Sequence, residues 1–219
     1  MRVEYFFNTS FLERHIMSSM DFAVHEFALR RIQQVLDFFF PSKVFEFRTV
    51  LIETHAHVMG SLPLFSLRPN WPTWQMPGDV DIFFRPPGAH TQDDFRLFDD
   101  FLTDSGYWPR SRALIPYFSR LCRSTGFSVL TYTKPMHDGD RTVQLIIHYN
   151  CGNTHEREWY MNVMQTFDIS CCSVSYNGRE MFVTPDNADP TGQRAFVRHN
   201  NNTTPQRVIK YRQRGFVFE

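Results

Sequence analysis

The order of its periodic patterns constrains this chain most: helical periodicity dominates the first half, and strand alternation dominates the second. Residues 21–39 repeat apolar side chains at helical spacing as far as Pro41, which predicts an amphipathic helix. A second helix is predicted from the capping box at Thr91 to Gly106. A third helix is expected at about 155–166, and strands are expected at 44–52, 80–84, 128–134, 142–149, 167–176 and 179–184. These elements predict an α+β fold, in which helices pack on a mixed, mostly antiparallel sheet.

The chain is expected to form one domain. Its 219 residues allow one large domain or two small ones, and no internal repeat divides them. We expect a single domain over residues 21–219, with an irregular loop at 61–78 and tight turns at Asp138-Gly139 and Asn177-Gly178. Residues 1–20 are apolar enough to form a mobile or exchanged segment that docks on this molecule or on a neighbour.

Charge and phenylalanine content both bear on the partners of the chain. Lys and Arg total 23, as do Asp and Glu, so the formal net charge is zero. Neutrality favours association and argues against a protein whose main task is to grip nucleic acid. Residues 1–109 carry 9 basic and 14 acidic side chains, and residues 110–219 carry 14 and 9. These opposed halves, together with 23 phenylalanines, predict contacts between copies of the chain.

Location and cysteine chemistry are linked. The sequence has no apolar run of about 18 residues, and its start is too charged for a signal peptide, so we expect an intracellular protein with no membrane contact. Its thiols then begin in a reducing compartment. Packing is the first interpretation for them and intersubunit disulfides are the second. The four cysteines are Cys122, Cys151, Cys171 and Cys172.

Three aspartates carry the clearest chemical signal. Asp79 and Asp81 alternate on a short predicted strand, so both project from one face of it. Carboxylates in this arrangement can hold Mg²⁺, and Asp168 on a later strand would complete a two-metal site. The alternatives are a solvated strand end for the first two and, for Asp168, a salt bridge with Arg207 or Arg212.

These motifs resemble the DNA polymerase β-type nucleotidyltransferase superfamily. The segments FDISCCSVSYNG and RVIKYRQRGF (207–216) are similar to a poorly characterised branch found in large DNA viruses and some eukaryotes. The resemblance covers about residues 44–216, and it implies a nucleotidyltransferase-like fold. It also implies that Asp79, Asp81 and Asp168 bind Mg²⁺ and that the substrate is a nucleoside triphosphate.

The glycine cradle of that family is the point of departure. Members place Gly-Gly or Gly-Ser directly after the first strand, and the bare amides there hold the triphosphate. Here the predicted strand at 44–52 leads into Thr54 and His55, which carry side chains. Gly60-Ser61 lies further on, with 17 residues between Ser61 and Asp79. The cradle has either moved to Gly60-Ser61 or been lost, and we favour loss.

Loss of the cradle favours a structural role. The first hypothesis is a catalytically degenerate nucleotidyltransferase-fold protein that assembles with itself, as a viral matrix or occlusion-body-like protein would, without a cofactor. The alternative is an active Mg²⁺-dependent nucleotidyltransferase that moves a nucleotide from an NTP to a hydroxyl acceptor. A weaker third is nucleic-acid binding, with Trp71 and Trp74 as stacking or protein-contact residues. The basic residues for this third role are Arg194, Arg198, Arg207, Lys210, Arg212 and Arg214.

Overall fold

The structure is a computed structural model, and it describes residues 22–72, 75–85, 91–109, 127–148, 159–184, 194–198 and 205–218. The predicted docking segment 1–20 lies outside these residues. So do Trp74, Cys122 and Cys151.

Six α-helices occur within the described residues. Their bounds are α1 Phe22–Phe39, α2 Val44–Glu53, α3 Ser61–Leu67, α4 Thr91–Asp104, α5 Trp159–Gln165 and α6 Pro205–Gln213. The predicted helices at 21–39 and from Thr91 are confirmed as α1 and α4, and α5 lies within the predicted 155–166.

The strands build a seven-stranded sheet and a separate two-stranded one. Their bounds are β1 His57–Met59, β2 Asp79–Phe84, β3 Trp108–Pro109, β4 Phe127–Lys134, β5 Arg141–His148, β6 Val174–Tyr176, β7 Met181–Val183, β8 Arg194–Ala195 and β9 Val217–Phe218. The large sheet has the order β3-β4-β5-β2-β1-β6-β7. Among the described strands of this sheet, only β2 and β5 pair in parallel, and in the small sheet β8 pairs with β9 in parallel. The fold is therefore α+β with a mostly antiparallel sheet, as the sequence predicts.

The two faces of the large sheet bury different sets of residues. On one face Val58, Val80 and Ile82 are fully buried in the main core, which includes side chains of α1 to α4. Successive side chains of a strand point to opposite faces, so Met59 and Phe83 belong to the second face. There they form a smaller cluster with residues of β5 and α5. We call this second side of the sheet the α5 face.

Segment 44–52 is a correction, because the structure places it in helix α2 and not in a strand. Phe45 and Phe47 alternate along the sequence, and aromatic and β-branched residues favour strands. In the structure Phe47 and Leu51 are buried four residues apart, whereas Phe45 is 80% exposed. The helical spacing of the buried pair, set by packing against the core, outweighs the local preference for a strand.

Two other segments differ in detail from their predictions. The predicted loop at 61–78 begins with helix α3, whose residues from Leu62 to Leu67 are all buried. The predicted strand at 167–176 is interrupted: Ile169 forms an isolated bridge with Val197, Ser170–Cys172 is a short 3₁₀ helix, and β6 follows. Periodicity cannot separate such short pieces.

The predicted turns are confirmed. Gly139 and Gly178 both have positive φ, and they connect β4 to β5 and β6 to β7. The Asn177 side chain accepts hydrogen bonds from the backbone amides of Arg179 and Glu180, which fixes the second turn. Among the helices of the described residues, none combines the length and apolar character that crossing a bilayer requires.

Candidate functional site

Gly60 follows β1 directly and begins the candidate site. Strand β1 pairs antiparallel with β2 through Val58 and Ile82, so the end of β1 lies beside the start of β2. This pairing brings Gly60 close to the two strand aspartates. Gly60 has φ +91°, a conformation that favours glycine, and its carbonyl accepts the first helical hydrogen bond of α3 from Leu64 at 3.2 Å.

Asp79 and Asp81 lie on the α5 face of β2. Their partly exposed side chains alternate with buried Val80 and Ile82. A side chain added at Gly60 would put its Cβ 3.9 Å from Oδ2 of Asp81. The other oxygen of that carboxyl group, Oδ1, is buried and has no hydrogen-bond partner among the described residues. A buried carboxylate oxygen without a partner is costly, so this geometry favours a ligand at the Asp81 carboxylate.

Electrostatics agree with that geometry. Burial and, second, the neighbouring charge of Asp79 raise the pKa of Asp81 to about 7, against the opposing effects of Arg207 and Lys210. Asp81 is therefore only partly deprotonated near neutral pH, and a cation bound there would replace the proton.

Asp168 is engaged by a cation from α6. Oδ1 of Asp168 lies 3.1 Å from a guanidinium nitrogen of Arg207, and the Asp168 side chain is only 14% exposed. This is the salt bridge that the sequence offers as the alternative for Asp168. Arg207 and Lys210 also act on Asp81, so α6 lies near that aspartate of β2. We call Asp79, Asp81 and Asp168 the acidic site.

Asp79 and Asp81 could hold one divalent cation, but the acidic site as a whole does not form a metal cage among the described residues. Within the described ranges, no group of three or more His, Cys, Asp or Glu side chains is arranged to hold a metal. Mg²⁺, however, is usually held by one or two carboxylates together with water and substrate phosphates. Asp79 and Asp81 fit that requirement, since Oδ1 of Asp81 has no hydrogen-bond partner in the part of the chain that the structure describes.

The premise for a lost cradle is wrong. Thr54 and His55 end helix α2 and do not follow a strand; the Thr54 hydroxyl donates to the Val50 carbonyl at 2.7 Å. The strand that precedes the β2 aspartates is β1, and Gly60-Ser61 follows it directly. Its three residues are too few for a periodic signal, and the glycine after it is the only hint that the sequence offers.

The predicted basic residues do not share one function. One guanidinium nitrogen of Arg198 donates to the carbonyls of Met164 and Phe167 and to the Ser173 hydroxyl, so this residue is structural. Arg214 lies over the rings of Trp71 and Tyr211 at 5.0 and 5.1 Å. Of the remaining residues, Arg194, Lys210 and Arg212 are exposed, and Arg207 binds Asp168.

The structure buries Trp71, Cys171 and Cys172 in the core, which bears on the roles predicted for them. Trp71 is only 3% exposed, which excludes it as a stacking surface for bases. Cys171 and Cys172 are buried and form no disulfide with one another, so an intersubunit disulfide through them would require this part of the core to open. Hydrogen bonds from Cys171 and Tyr211, with the charge of Arg207, hold the pKa of Cys172 below its usual value, although burial opposes them.

Sequence reasoning misses how α6 contributes to the site. It names Arg207 as a possible partner of Asp168 and as one of the basic residues for nucleic-acid binding, and it assigns no helix at 205–213. Pro205 in the first helical position, followed by Arg207 and Lys210 three residues apart, is the pattern that indicates a helix with a basic face.

Comparison of the chain with models of known protein families, with curated proteins and with solved structures finds no match. The interpretation of the site therefore depends on its own residues.

Proposed function

We propose that the protein is a Mg²⁺-dependent nucleotidyltransferase that uses the acidic site. Of the hypotheses that the sequence leaves open, this one agrees best with the position of Gly60-Ser61 directly after β1. The observation that carries the proposal is the buried Oδ1 of Asp81, which has no partner among the described residues and lies on a carboxylate beside Gly60.

Each residue of the site has a distinct role in this proposal. Asp79 and Asp81 hold the metal ion, which supplies the positive charge that a triphosphate needs on binding. Gly60 leaves room for a phosphate because it has no side chain, and the Ser61 hydroxyl is the nearest donor in sequence. Asp168 orients the acceptor hydroxyl once it is free of Arg207.

The first test measures metal binding and nucleotide transfer by the 219-residue chain. The protein is titrated with Mn²⁺, a spectroscopic substitute for Mg²⁺, and incubated with Mg²⁺, total RNA and each labelled nucleoside triphosphate in turn. We expect incorporation into RNA or into the protein itself. Asp81→Asn should lower the transfer rate by about 100-fold or more and weaken Mn²⁺ binding.

Asp100→Asn is the matched control, because Asp100 is an exposed carboxylate on α4. It should leave both Mn²⁺ binding and transfer unchanged. The proposal fails if the wild-type protein binds neither Mn²⁺ nor any of the four triphosphates, or if Asp81→Asn transfers nucleotide at the wild-type rate.

The self-assembly hypothesis stays a prediction. It depends mainly on the absence of a glycine after the first strand. That premise no longer holds, because Gly60-Ser61 directly follows β1. Exposed aromatic side chains such as Phe45, 80% exposed, and Trp108, 56% exposed, remain compatible with contacts between copies. A stable monomer in light scattering at high protein concentration would exclude it. Nucleic-acid binding through the remaining basic residues also stays a prediction.

A further inference from the structure

Trp71 lies among arginines that are not part of the acidic site. Its ring meets that of Phe65 edge to face, with centroids 5.4 Å apart, and only 3% of Trp71 is exposed. The Arg214 guanidinium lies 5.0 Å from the centroid of the Trp71 ring. Arg31 donates to the carbonyl of Arg68 and, at 2.8 Å, to the carbonyl of Trp71. We call Arg31, Trp71 and Arg214 the arginine cluster.

Two donor atoms of this cluster lack an acceptor within the described residues. Nε1 of Trp71 and the guanidinium nitrogen Nη1 of Arg214 are both buried, and no hydrogen-bond partner reaches either of them there. Indole and guanidinium N–H groups can only donate. A buried donor without an acceptor is costly, and such atoms are rare in proteins. A group that satisfies both atoms has to supply acceptor oxygens.

Neither arginine of the cluster forms an ion pair with a described residue. Burial lowers the pKa of Arg31, as expected for a cation that is taken out of water. Arg68 brings a further positive charge: its guanidinium lies 4.1 Å from the ring centroid of Phe216, and that ring packs against Trp71. Arg31 and Arg214 are partly exposed, so a small ion can approach them from solvent. Concentrated positive charge of this kind favours an anion.

The arginine cluster and the Arg207 ion pair lie at opposite ends of α6. Arg207 is in the first turn of the helix, and Arg214 directly follows its last residue. A helix rises about 1.5 Å per residue, so these two positions are about 10 Å apart along its axis. The arginine cluster is therefore separate from the contact between α6 and Asp168.

We propose that the arginine cluster binds an oxyanion, the phosphate or carboxylate group of a ligand. Its oxygens accept hydrogen bonds from Nε1 of Trp71 and Nη1 of Arg214, and its charge offsets those of Arg31 and Arg214. A guanidinium group pairs well with either kind of oxyanion. The ligand joins α1, the segment after α3 and the end of α6, because one residue of the cluster comes from each. This inference does not depend on the proposed function.

The test uses the 219-residue chain in a chloride buffer of constant ionic strength, with a chelator and without nucleotide. Calorimetry and thermal unfolding are measured with inorganic phosphate and, separately, with succinate. At about ten times its dissociation constant, the bound anion should raise the unfolding temperature by about 3 °C or more. Binding of phosphate alone identifies a phosphate site, binding of succinate alone a carboxylate site, and binding of both a general oxyanion site.

Three variants place the anion at the cluster. Arg214→Gln removes one charged donor and should weaken binding by about tenfold or more. Trp71→Phe keeps an aromatic ring without the N–H group and should weaken binding by about threefold or more. Arg212→Gln is the matched control, because it removes an exposed cation two residues from Arg214, and it should change the affinity by less than about twofold. Circular dichroism checks that each variant is folded.

Arg214→Lys keeps the charge without the guanidinium fork, and it replaces Arg214→Gln if that variant does not fold. It should weaken binding by about threefold or more. The inference is overturned if the wild type binds neither anion, or if folded variants at Arg214 and Trp71 bind as tightly as the wild type. It is also overturned if Arg212→Gln loses as much affinity as the Arg214 variant, because the effect is then one of net charge. No metal ion or nucleotide is present, so these failures leave the proposed function untouched.

Discussion

The α5 face of the sheet has two halves that treat buried polar groups differently. In the aromatic half, Nδ1 of His57 and the Ser175 hydroxyl oxygen are hydrogen-bonded at 2.6 Å, and the His57 ring stacks on Tyr160 with centroids 4.5 Å apart. In the acidic half, Oδ1 of Asp81 is buried with no partner among the described residues. His57 and Asp81 lie on adjacent strands, so the contrast arises within one layer of the fold.

Under the proposed function, the contrast is between a structural group, His57, and a metal-binding group, Asp81. Burial and, second, the charge of His55 lower the pKa of His57 to about 3, so the ring is neutral and its polar atom is satisfied. Asp81 has the opposite condition: its pKa is raised, and one of its carboxylate oxygens has no partner among the described residues. Buried polar atoms are rarely left unpaired in proteins, and an unpaired buried carboxylate oxygen with a raised pKa is one feature that is typical of functional sites. The two halves should therefore respond to substitution in opposite ways.

The largest expected effect is in the aromatic half. His57→Ala removes a buried ring from its stack with Tyr160 and leaves the Ser175 hydroxyl unpaired, so the free energy of unfolding should fall by about 4 kcal/mol. His57→Phe keeps the ring but not the hydrogen bond and should cost about 1–2 kcal/mol. Urea unfolding measures both. A loss below about 1 kcal/mol for His57→Ala would show that His57 is not an important structural residue of the aromatic half.

The next effect is the pH dependence of stability in the acidic half. The pKa of Asp81 is about 7 in the folded protein, against an ordinary value of 3.8. The folded state therefore holds a proton that the unfolded state releases between these values, so stability should fall as the pH rises from about 4 to about 7. Asp81 retains some exposure, so we expect a contribution of roughly 2 kcal/mol.

The measurement is urea unfolding at pH 5 and pH 8 with a chelator present. Asp81→Asn should lose less stability than the wild type between the two values, because it has no proton to release, and Asp100→Asn should behave as the wild type does. Equal losses in all three proteins would mean that Asp81 is not held in a proton-binding environment.

The two aspartates of the acidic half can be predicted from the sequence more easily than the position of Gly60 beside them. Alternation places Asp79 and Asp81 on one side of β2 and Val80 and Ile82 on the other, and this pattern is local. The position of Gly60 depends on the antiparallel pairing of β1 with β2, and β1 has only three residues. Such a contact is non-local, so no periodicity reveals it.

For helix α2 a local pattern exists, but it indicates the wrong element. Its sequence alternates as a strand does, and only the burial of Phe47 and Leu51 against the core decides for a helix. The predicted position of the glycine cradle is wrong for the same reason, because the sequence predicts the preceding strand at 44–52, where the structure has a helix. The general fold class survives such an error, since it depends on the sum of the elements, whereas a site depends on the neighbours of a few residues.

The smallest effects come from two serines that flank β1 in space and in sequence. Ser175 is fully buried and bonded to His57, whereas Ser61 is partly exposed and its hydroxyl has no hydrogen bond among the described residues. Ser175→Ala should cost about 1 kcal/mol, because the Nδ1 atom of His57 loses its partner. Ser61→Ala should leave stability within about 0.5 kcal/mol of the wild type and weaken triphosphate binding about threefold to tenfold. Thermal unfolding measures the stability of both variants, and titration with a fluorescent triphosphate measures their triphosphate affinity. If Ser61→Ala loses stability and keeps its triphosphate affinity, Ser61 is a structural residue. The proposed binding role would then be limited to the aspartates.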